Sequence, residues 1–426
     1  MSGDNINSNL KLSSNIFGLF LVHGVGLILL FAAIPHLTRV FGPEGWGQIV
    51  FVQVVINYLC WVSNWGFYLG GTKSISVHRD CSIKTSEIFS HIWSAQVLLA
   101  CVGSIFLAVI VLSVPYFKGD TSLFLFGILI ICGNVLMPLW YINGLEKVVS
   151  SALAQMAVKG IALPFIFIFI NSPDDHYKYF LIYGLSTICI GIFTLFWMYV
   201  KLEVRFQTPK LQLVFDSIRE HFRLFASSIF LSLNTLIVII CMKFYGGDAM
   251  LGYFNLVDRI RNGAIQVLHP ISNALFPRMG YLFANNKQAA RKLAISIGII
   301  MIVSSSLLGL ALYIFADKIV GFLGGAEFDQ SITLLKVLSI SPLISTLFAF
   351  LVNQIAIPSG NDRIYFLATW ISVVLSALVV FPTLVYFGLI GVGIITLIVD
   401  AFALVSIGYF LKSKHVFQHN LFEKSN

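Results

Sequence analysis

The sequence has 426 residues, of which 58% are hydrophobic and only 11% are charged, and its mean hydropathy is +0.89. An average soluble domain is roughly 25% charged, so this composition excludes an ordinary soluble protein and favours an integral membrane protein. The formal net charge is +8, a value that nucleic-acid-binding proteins share, so the placement of the charges along the chain has to be considered before a partner is inferred.

Apolar runs recur at regular intervals from residue 16 to residue 410. A helix needs about 20 mostly apolar residues to cross a bilayer, and the runs therefore predict an all-α integral membrane protein with twelve transmembrane helices. The predicted spans are residues 16–38, 48–69, 88–114, 122–143, 155–170, 179–200, 224–242, 251–270, 293–316, 332–358, 366–386 and 389–411. No segment between them is long enough to form a separate soluble domain.

Basic residues divide unequally between the two sides of this topology, with 19 Lys and Arg residues on one side and five on the other. Lys and Arg accumulate in the cytoplasmic loops of membrane proteins. The side with 19, which includes both termini, is therefore predicted to be cytoplasmic, as expected for an inner-membrane protein. The net charge then reflects topology, and we expect no nucleic-acid partner.

The longest predicted cytoplasmic loop, residues 201–223, lies at the middle of the chain. Its apolar residues recur at helical spacing, opposite polar ones: Leu211, Phe215, Ile218 and Phe222. This pattern predicts an amphipathic helix on the inner leaflet. We therefore expect an N-terminal six-helix lobe over residues 1–205, an amphipathic linker helix over 206–223 and a C-terminal six-helix lobe over 224–426.

Two short motifs recur in both halves, at offsets of 204 and 216 residues. Residues 39–44 and 243–248 both read base, apolar, aromatic, Gly, any residue, acid; residues 144–147 and 360–363 both begin with Gly and end with an acid and a base. Because six is even, two six-helix halves begin on the same side of the membrane. The motifs therefore predict parallel repeats, an arrangement in which transporters place the substrate site between the repeats.

The eighth predicted span carries a polar stripe. The stripe covers about 100° of the helix surface and consists of Asn255, Asp258, Arg259, Asn262, Gln266 and His269, with Arg261 beside it. Alignment of Gly47 with Gly252 places Gln53, Asn57 and Asn64 of the second span at the positions of Asp258, Asn262 and His269. The same face is therefore polar in both halves, and we predict that both faces line one cavity.

A charge near the bilayer centre costs about 2.5–3.5 kcal/mol, so Asp258 and Arg259 are not expected to face lipid. An internal Asp–Arg pair can simply lock two helices together, or the arginine can hold an anionic ligand such as a diphosphate in a hydrated cavity. Lys336 and Arg261 can add to the same positive field. Asp400, in the twelfth span, and Asp258 are candidates for H⁺ or Na⁺ coupling, and Asp400 can alternatively pair with a cation such as Lys336. The sequence carries no catalytic or metal-binding motif, and we expect no cofactor.

Three segments carry a family resemblance. The turn at residues 41–47, Phe-Gly-Pro-Glu-Gly-Trp-Gly, resembles the corresponding turn of the polysaccharide transporter branch of the multidrug/oligosaccharidyl-lipid/polysaccharide (MOP) exporter superfamily. Residues 252–255, and residues 381–382 with 386–393, are similar to two further motifs of that branch. In length and number of predicted spans, the chain resembles the Wzx-type O-antigen flippases.

The resemblance implies a MATE/MOP-like fold and a flippase function. A protein of this kind translocates undecaprenyl-diphosphate-linked oligosaccharide units from the cytoplasmic to the periplasmic leaflet, by alternating access through a central cavity that is polar and partly cationic here. The implied partners are the polyprenyl-diphosphate-linked oligosaccharide and membrane lipid, together with polysaccharide polymerase and chain-length proteins.

Two other functions are considered. A MATE-like drug/cation antiporter has the same fold, but its cationic substrates favour acids in the cavity, including one in the first span, where this sequence has none. A membrane-embedded polysaccharide polymerase or acyltransferase is the enzymatic alternative. Polymerases of this kind need a sizeable periplasmic loop, whereas every predicted external loop is short.

Overall fold

The computed structural model describes residues 2–359 and 362–413. Within these residues the chain is helical almost throughout and contains no β-strand, so the predicted all-α class is confirmed. The chain divides into two compact units, Met1–Phe230 and Leu231–Asn426. The finer boundaries at residues 205 and 224 stay a prediction.

The first unit consists of seven helices and the beginning of an eighth. They are α1 (Ser2–Asn64), α2 (Phe67–Val77), α3 (Ser82–Ser113), α4 (Thr121–Val135), α5 (Leu139–Gly144), α6 (Val148–Phe169), α7 (His176–Lys201) and the start of α8 (Leu211–Gln266). Short 3₁₀ turns at Pro115–Phe117 and Pro173–Asp175 precede α4 and α7.

In its described residues, the second unit contains the rest of α8 and six further helices. They are α9 (His269–Asn285), α10 (Lys287–Ile314), α11 (Ala316–Leu323), α12 (Asp329–Leu338), α13 (Ser341–Phe350) and α14 (Asp362–Ser413). A 3₁₀ turn at Ala326–Phe328 precedes α12, and a π-helical turn at Leu351–Ala356 continues α13.

Among the described residues, eight helices are long and apolar enough to cross a membrane. A ninth span results if the segments Ala326–Leu338 and Ser341–Ala356, bent by 47°, are counted as one. Three of the long helices, α1, α8 and α14, contain a glycine with non-helical backbone angles: Gly42, Gly247 and Gly388. If each glycine separates two spans, the total becomes twelve, and this number stays a prediction.

The same backbone break occurs in both units. Gly42 has φ 62° and ψ −176°, and Gly247, 205 residues later, has φ 73° and ψ −173°. This region of backbone space is essentially restricted to glycine, which explains why the chain breaks at these positions. The sequence motif paired Gly42 with Gly246, at an offset of 204 residues. The structure pairs Gly42 with Gly247, at an offset of 205 residues, which is the offset that aligned the two polar stripes. Residues 360 and 361 of the second motif lie outside the described residues.

Each polar span also ends at a second break. Helix α1 ends at Asn64, shortly before Gly66 with φ 75°. Helix α8 ends at Gln266, and α9 starts at His269, which is 205 residues after Asn64. The polar stripe of each unit is therefore bounded by the same two breaks, which supports an internal repeat.

The beginning of α8 packs against the break after α1. Trp65 Nε1 donates a hydrogen bond to the Ile218 carbonyl oxygen at 2.8 Å, and the Trp65 ring stacks on Phe225 with centroids 3.9 Å apart. The buried His221 ring lies so close to Gly70 that a Cβ there would collide with it. This segment exposes Leu211, Phe215 and Phe222 beside its buried face, where the Phe222 ring lies 6.0 Å from the Trp65 ring. Its contact with the inner leaflet stays a prediction.

Candidate functional site

An ionic cluster lies inside the second unit, on the part of α8 that follows Gly247. Arg261 is almost one helical turn beyond Asp258, and its Nη2 is 2.9 Å from Asp258 Oδ1. Its Nη1 is 3.2 Å from Oδ2 of Asp400 in α14. Arg261 therefore bridges two carboxylates that belong to different helices.

Two serines of α13 complete this cluster. Ser341 Oγ accepts a hydrogen bond from Arg261 Nη1 at 3.0 Å and donates to Asp400 Oδ2 at 3.3 Å. Ser345 Oγ donates to the same carboxylate oxygen at 3.1 Å. Because α13 starts at Ser341, these serines occupy its first and second turns, on one face of the helix.

The cluster borders a cavity of about 260 Å³ in the second unit. The cavity is lined by Thr235, Val238, Phe254, Asp258, Arg261, Asn262, Ser376, Ile395, Thr396, Val399 and Asp400. This volume is slightly below the usual range of small-molecule pockets, about 300–1,000 Å³. It fits a small polar group such as a phosphate, and not a whole oligosaccharide.

The cluster has a formal charge of −1, because two aspartates face one arginine. The side chain of Arg261 is 14% exposed, and those of Asp258 and Asp400 are 26% and 30% exposed. Charges with so little water need partners, so each of these side chains depends on the others. The buried Nε of Arg261 has no hydrogen-bond partner among the described residues, which leaves one guanidinium donor unsatisfied.

The structure brings four of the sequence-predicted site residues together: Asp258, Arg261, Asn262 and Asp400. Asn262 Nδ2 donates to Asp258 Oδ2 at 2.9 Å, which orients the carboxylate towards Arg261. Asp258 pairs with Arg261, which also contacts Asp400 of α14, so an Asp–Arg contact that joins two helices remains an alternative to a ligand site.

Arg259, the predicted anion ligand, has a different environment. Its Nε donates to Asn255 Oδ1 at 2.9 Å, one turn earlier on α8, and neither residue lines the cavity described above. Gln266 is exposed at the end of α8. The His269 side chain lies outside the described part of the structure.

Lys336 does not reach Asp400. Its Nζ is 3.0 Å from Oδ2 of Asp317, in an exposed pair at the start of α11. The hydrogen bond from Lys336 holds the pKa of the Asp317 carboxyl below its usual range. The predicted pairing of Lys336 with Asp400 is therefore wrong, and Arg261 takes that place.

The polar stripe of the first unit forms neutral contacts. Gln53 Nε2 donates to the Tyr179 hydroxyl at 3.3 Å, and Asn57 is exposed. Asn64 donates to Asn134 Oδ1 at 3.3 Å and accepts from Gln96 Nε2 at 2.9 Å. Trp140 Nε1 in turn donates to Gln96 Oε1 at 3.2 Å.

Sequence reasoning did not find Ser341, Ser345 or Gln96. The two serines are four residues apart in the tenth predicted span, so they share a helical face, and this spacing was a usable signal. Gln96 lies in a strongly apolar span, where a single amide gives no pattern. In the described ranges, 2–359 and 362–413, no group of three or more His, Cys, Asp or Glu residues is arranged to hold a metal ion.

Residues 12–283, more than half of the chain, match the family described as polysaccharide biosynthesis protein. The chain belongs to this family. A relative from Escherichia coli (strain K12), named "Putative O-antigen transporter", is 27% identical over 402 residues, which cover 91% of this chain and 94% of the relative. A second relative, from Shigella dysenteriae, carries the same name, and the prediction that the chain is not an enzyme agrees with both names.

Two solved structures share the fold. An inward-facing multidrug resistance MATE family transporter of the MOP superfamily has a TM-score of 0.73 at 14% identity, over 93% of this chain and 94% of that chain. The lipid II flippase MurJ, in an inward closed conformation, has a TM-score of 0.75 at 13% identity, over 93% of this chain and 87% of that chain. The predicted MATE/MOP-like fold of this multi-pass membrane protein is confirmed.

Proposed function

We propose that the protein translocates undecaprenyl-diphosphate-linked O-antigen units from the cytoplasmic to the periplasmic leaflet of the bacterial inner membrane. The observation that carries the proposal is a poorly exposed arginine, Arg261, beside a polar cavity within a membrane-spanning fold. The family match and the O-antigen transporter name of the E. coli relative support this substrate class.

Arg261 is the side chain that we assign to the diphosphate. A guanidinium presents a planar fork of donors that matches two phosphate oxygens. Both of its Nη atoms are held by the carboxylates of Asp258 and Asp400, so an anion has to compete with these carboxylates. Neutralisation of one carboxylate favours the anion, and Arg261 therefore replaces Arg259 as the central residue of the predicted site.

Asp400 is our first candidate for ion coupling, and Asp258 is the second. A proton on Asp400, or a sodium ion between these carboxylates, weakens their attraction for Arg261 because it removes the excess negative charge. The substrate anion and the coupling ion would then both act on the interactions of the Arg261 guanidinium. Such a link makes anion binding depend on the coupling ion.

The oligosaccharide is larger than this cavity, so transport requires a further opening. We propose alternating access, in which the sugars pass through a polar path while the hydrocarbon tail stays in lipid. We also propose that both termini lie in the cytoplasm and that the protein associates with polysaccharide polymerase and chain-length proteins.

A cation antiporter is the second candidate, and one observation favours it. Asp258 and Asp400 outnumber Arg261 in the cluster, and a net negative cavity attracts a cation. In that case Arg261 only holds the carboxylates in place, and replacement of Asp400 by Asn lowers transport of an organic cation while surface glycan stays normal.

The test measures O-antigen at the surface of cells whose own gene has been deleted and replaced by variants. Arg261→Ala is expected to lower surface glycan about tenfold or more, since charge-assisted hydrogen bonds contribute roughly 1.5–3 kcal/mol. Arg261→Lys is expected to retain part of the function, because it keeps the charge and loses the planar fork.

Arg259→Ala serves as the matched control, since Arg259 lies on the same helix outside the cavity lining. It is expected to leave surface glycan close to that of wild type. Protein amounts in the membrane are measured in parallel. Normal surface glycan with Arg261→Ala at normal protein amount would refute the assignment.

A further inference from the structure

A second cavity, of about 320 Å³, opens on the first unit between α6 and α7, with one residue from α5. It is lined by Ile142, Ser150, Leu153, Ala154, Ala157, Ile190, Phe193, Thr194 and Trp197. Its volume lies at the lower end of the range for ligand pockets. None of these residues belongs to the polar stripe or to the Arg261 cluster.

The helical spacing of small residues explains the cleft. Ser150, Ala154 and Ala157 lie on one face of α6, where their short side chains leave the space open. Phe193 is 62% exposed at the edge of the cleft. The Thr194 hydroxyl donates to a backbone carbonyl of its own helix at 2.7 Å, so it requires no other partner. The cleft therefore presents an apolar wall to the lipid.

Two lysines lie at one end of the cleft. Lys147, directly before α6, has its Nζ 5.5 Å from the ring centroid of Trp197. Lys201, the last residue of α7, follows Trp197 by about one turn. Both lysines are exposed. Tryptophan and lysine at a helix end are typical of the membrane–water interface, where lipid headgroups lie.

We propose that this cleft binds an anionic phospholipid, with an acyl chain between α6 and α7 and the headgroup phosphate at Lys147 and Lys201. An apolar groove that ends in two ammonium groups complements a hydrocarbon chain that ends in one phosphate. The acyl chain is surrounded by hydrocarbon both in the bilayer and in the cleft, so the preference for an anionic lipid is expected to come from the two ammonium groups.

The cationic end fits a single phosphate better than a diphosphate. Lysines act as point charges, whereas bidentate recognition of neighbouring phosphate oxygens favours arginine. Arg205, the next basic residue after Lys201, has its guanidinium over the Tyr199 ring at 4.6 Å from the centroid. The cleft shares no lining residue with the cavity beside Arg261, and the lipid proposal does not depend on the proposed transport function.

The test is native mass spectrometry of the full-length protein released from nanodiscs that contain equal amounts of phosphatidylglycerol and phosphatidylethanolamine. The wild type is expected to retain phosphatidylglycerol preferentially. Replacement of one lysine, Lys147→Gln or Lys201→Gln, is expected to lower this preference about fivefold, in line with the attraction of one basic residue for an anionic membrane.

Ala157→Trp is expected to fill the cleft and abolish retention of both lipids there, and Ala154→Leu gives a milder filling if the first variant folds poorly. Lys118→Gln and Ile192→Trp are the controls for charge and for bulk, since both residues are exposed and lie outside the cleft. Both controls should retain lipid like the wild type.

Three results would overturn the proposal. They are equal retention of the two phospholipids by the wild type, unchanged preference after both lysines are replaced, and unchanged retention in well-folded Ala157→Trp or Ala154→Leu. Displacement of phosphatidylglycerol by an equimolar amount of undecaprenyl diphosphate would also overturn it, because the cleft would then be a substrate site.

Discussion

The two units use the same helix breaks to present different chemistry. At the 205-residue offset defined by Gly42 and Gly247, Gln53 corresponds to Asp258, and Ile56 corresponds to Arg261. Ile56 is 1% exposed and belongs to an apolar core, whereas Arg261 bridges two carboxylates. The polar face of the first unit therefore lacks the charges that the second unit carries. Two similar units can therefore differ in that one carries an ionic site and the other does not. The first unit shows that the helix breaks form without such a site.

The energetic demands of the two clusters differ accordingly. The amides of Asn64, Gln96 and Asn134 satisfy one another at distances of 2.9–3.3 Å. Loss of one neutral hydrogen bond costs about 1–3 kcal/mol when a partner is left buried. Loss of one partner in a buried ion pair costs about 3–5 kcal/mol. The largest effects are therefore expected in the second unit.

Replacement of Arg261 by Ala is expected to destabilise the protein most. Asp258 and Asp400 would then repel each other without a cation, at a cost of about 3 kcal/mol, the lower end of the range because both retain some exposure. The measurement is the thermal unfolding of the purified protein. Addition of Asp400→Asn is expected to restore part of the lost stability, because it removes one unpaired charge. If the double variant is no more stable than Arg261→Ala alone, the two residues are not coupled.

Replacement of Gln96 by Leu tests the neutral cluster. Gln96 is 1% exposed and connects Asn64 with Trp140, so its loss is expected to cost about 1–3 kcal/mol of stability while transport is retained. Gln53→Leu is the comparison variant, since Gln53 has a longer contact of 3.3 Å to Tyr179, and a smaller loss is expected. Abolished transport in a stable Gln96→Leu protein would mean that the first unit is also part of the site.

The sequence predicted the repeat and the polar face better than it predicted the pairing. Breaks at glycine and polarity at helical spacing are local features, and both polar spans were found at the correct 205-residue register. The partner of Arg261 in α14 is a long-range feature that no local pattern contains. Arg261 lies beside the stripe, but its long side chain reaches Asp258 almost one turn away at 2.9 Å. Arg259, on the stripe itself, contacts Asn255.

The exposed pair of Lys336 and Asp317 is expected to have the smallest effect. Lys336 lowers the pKa of the Asp317 carboxyl, so the pair stabilises the folded state above the ordinary carboxyl pKa of about 3.9. This contribution is lost as the pH falls through the lowered pKa. Lys336→Gln should therefore be slightly less stable than wild type at pH 7 and equally stable under strongly acidic conditions, as measured by unfolding at both pH values. Loss of transport in the Lys336→Gln variant would mean that Lys336 is part of the functional site.

Translocation in proteoliposomes tests the central role of Arg261 most directly. The measurement follows a fluorescent undecaprenyl-diphosphate-linked oligosaccharide as it becomes protected from, or accessible to, a membrane-impermeant quencher. We expect wild type and Arg259→Ala to translocate the lipid at similar rates, and Arg261→Ala combined with Asp400→Asn to be inactive even though its stability is partly restored. Translocation at the wild-type rate by a variant that lacks Arg261 would contradict the account.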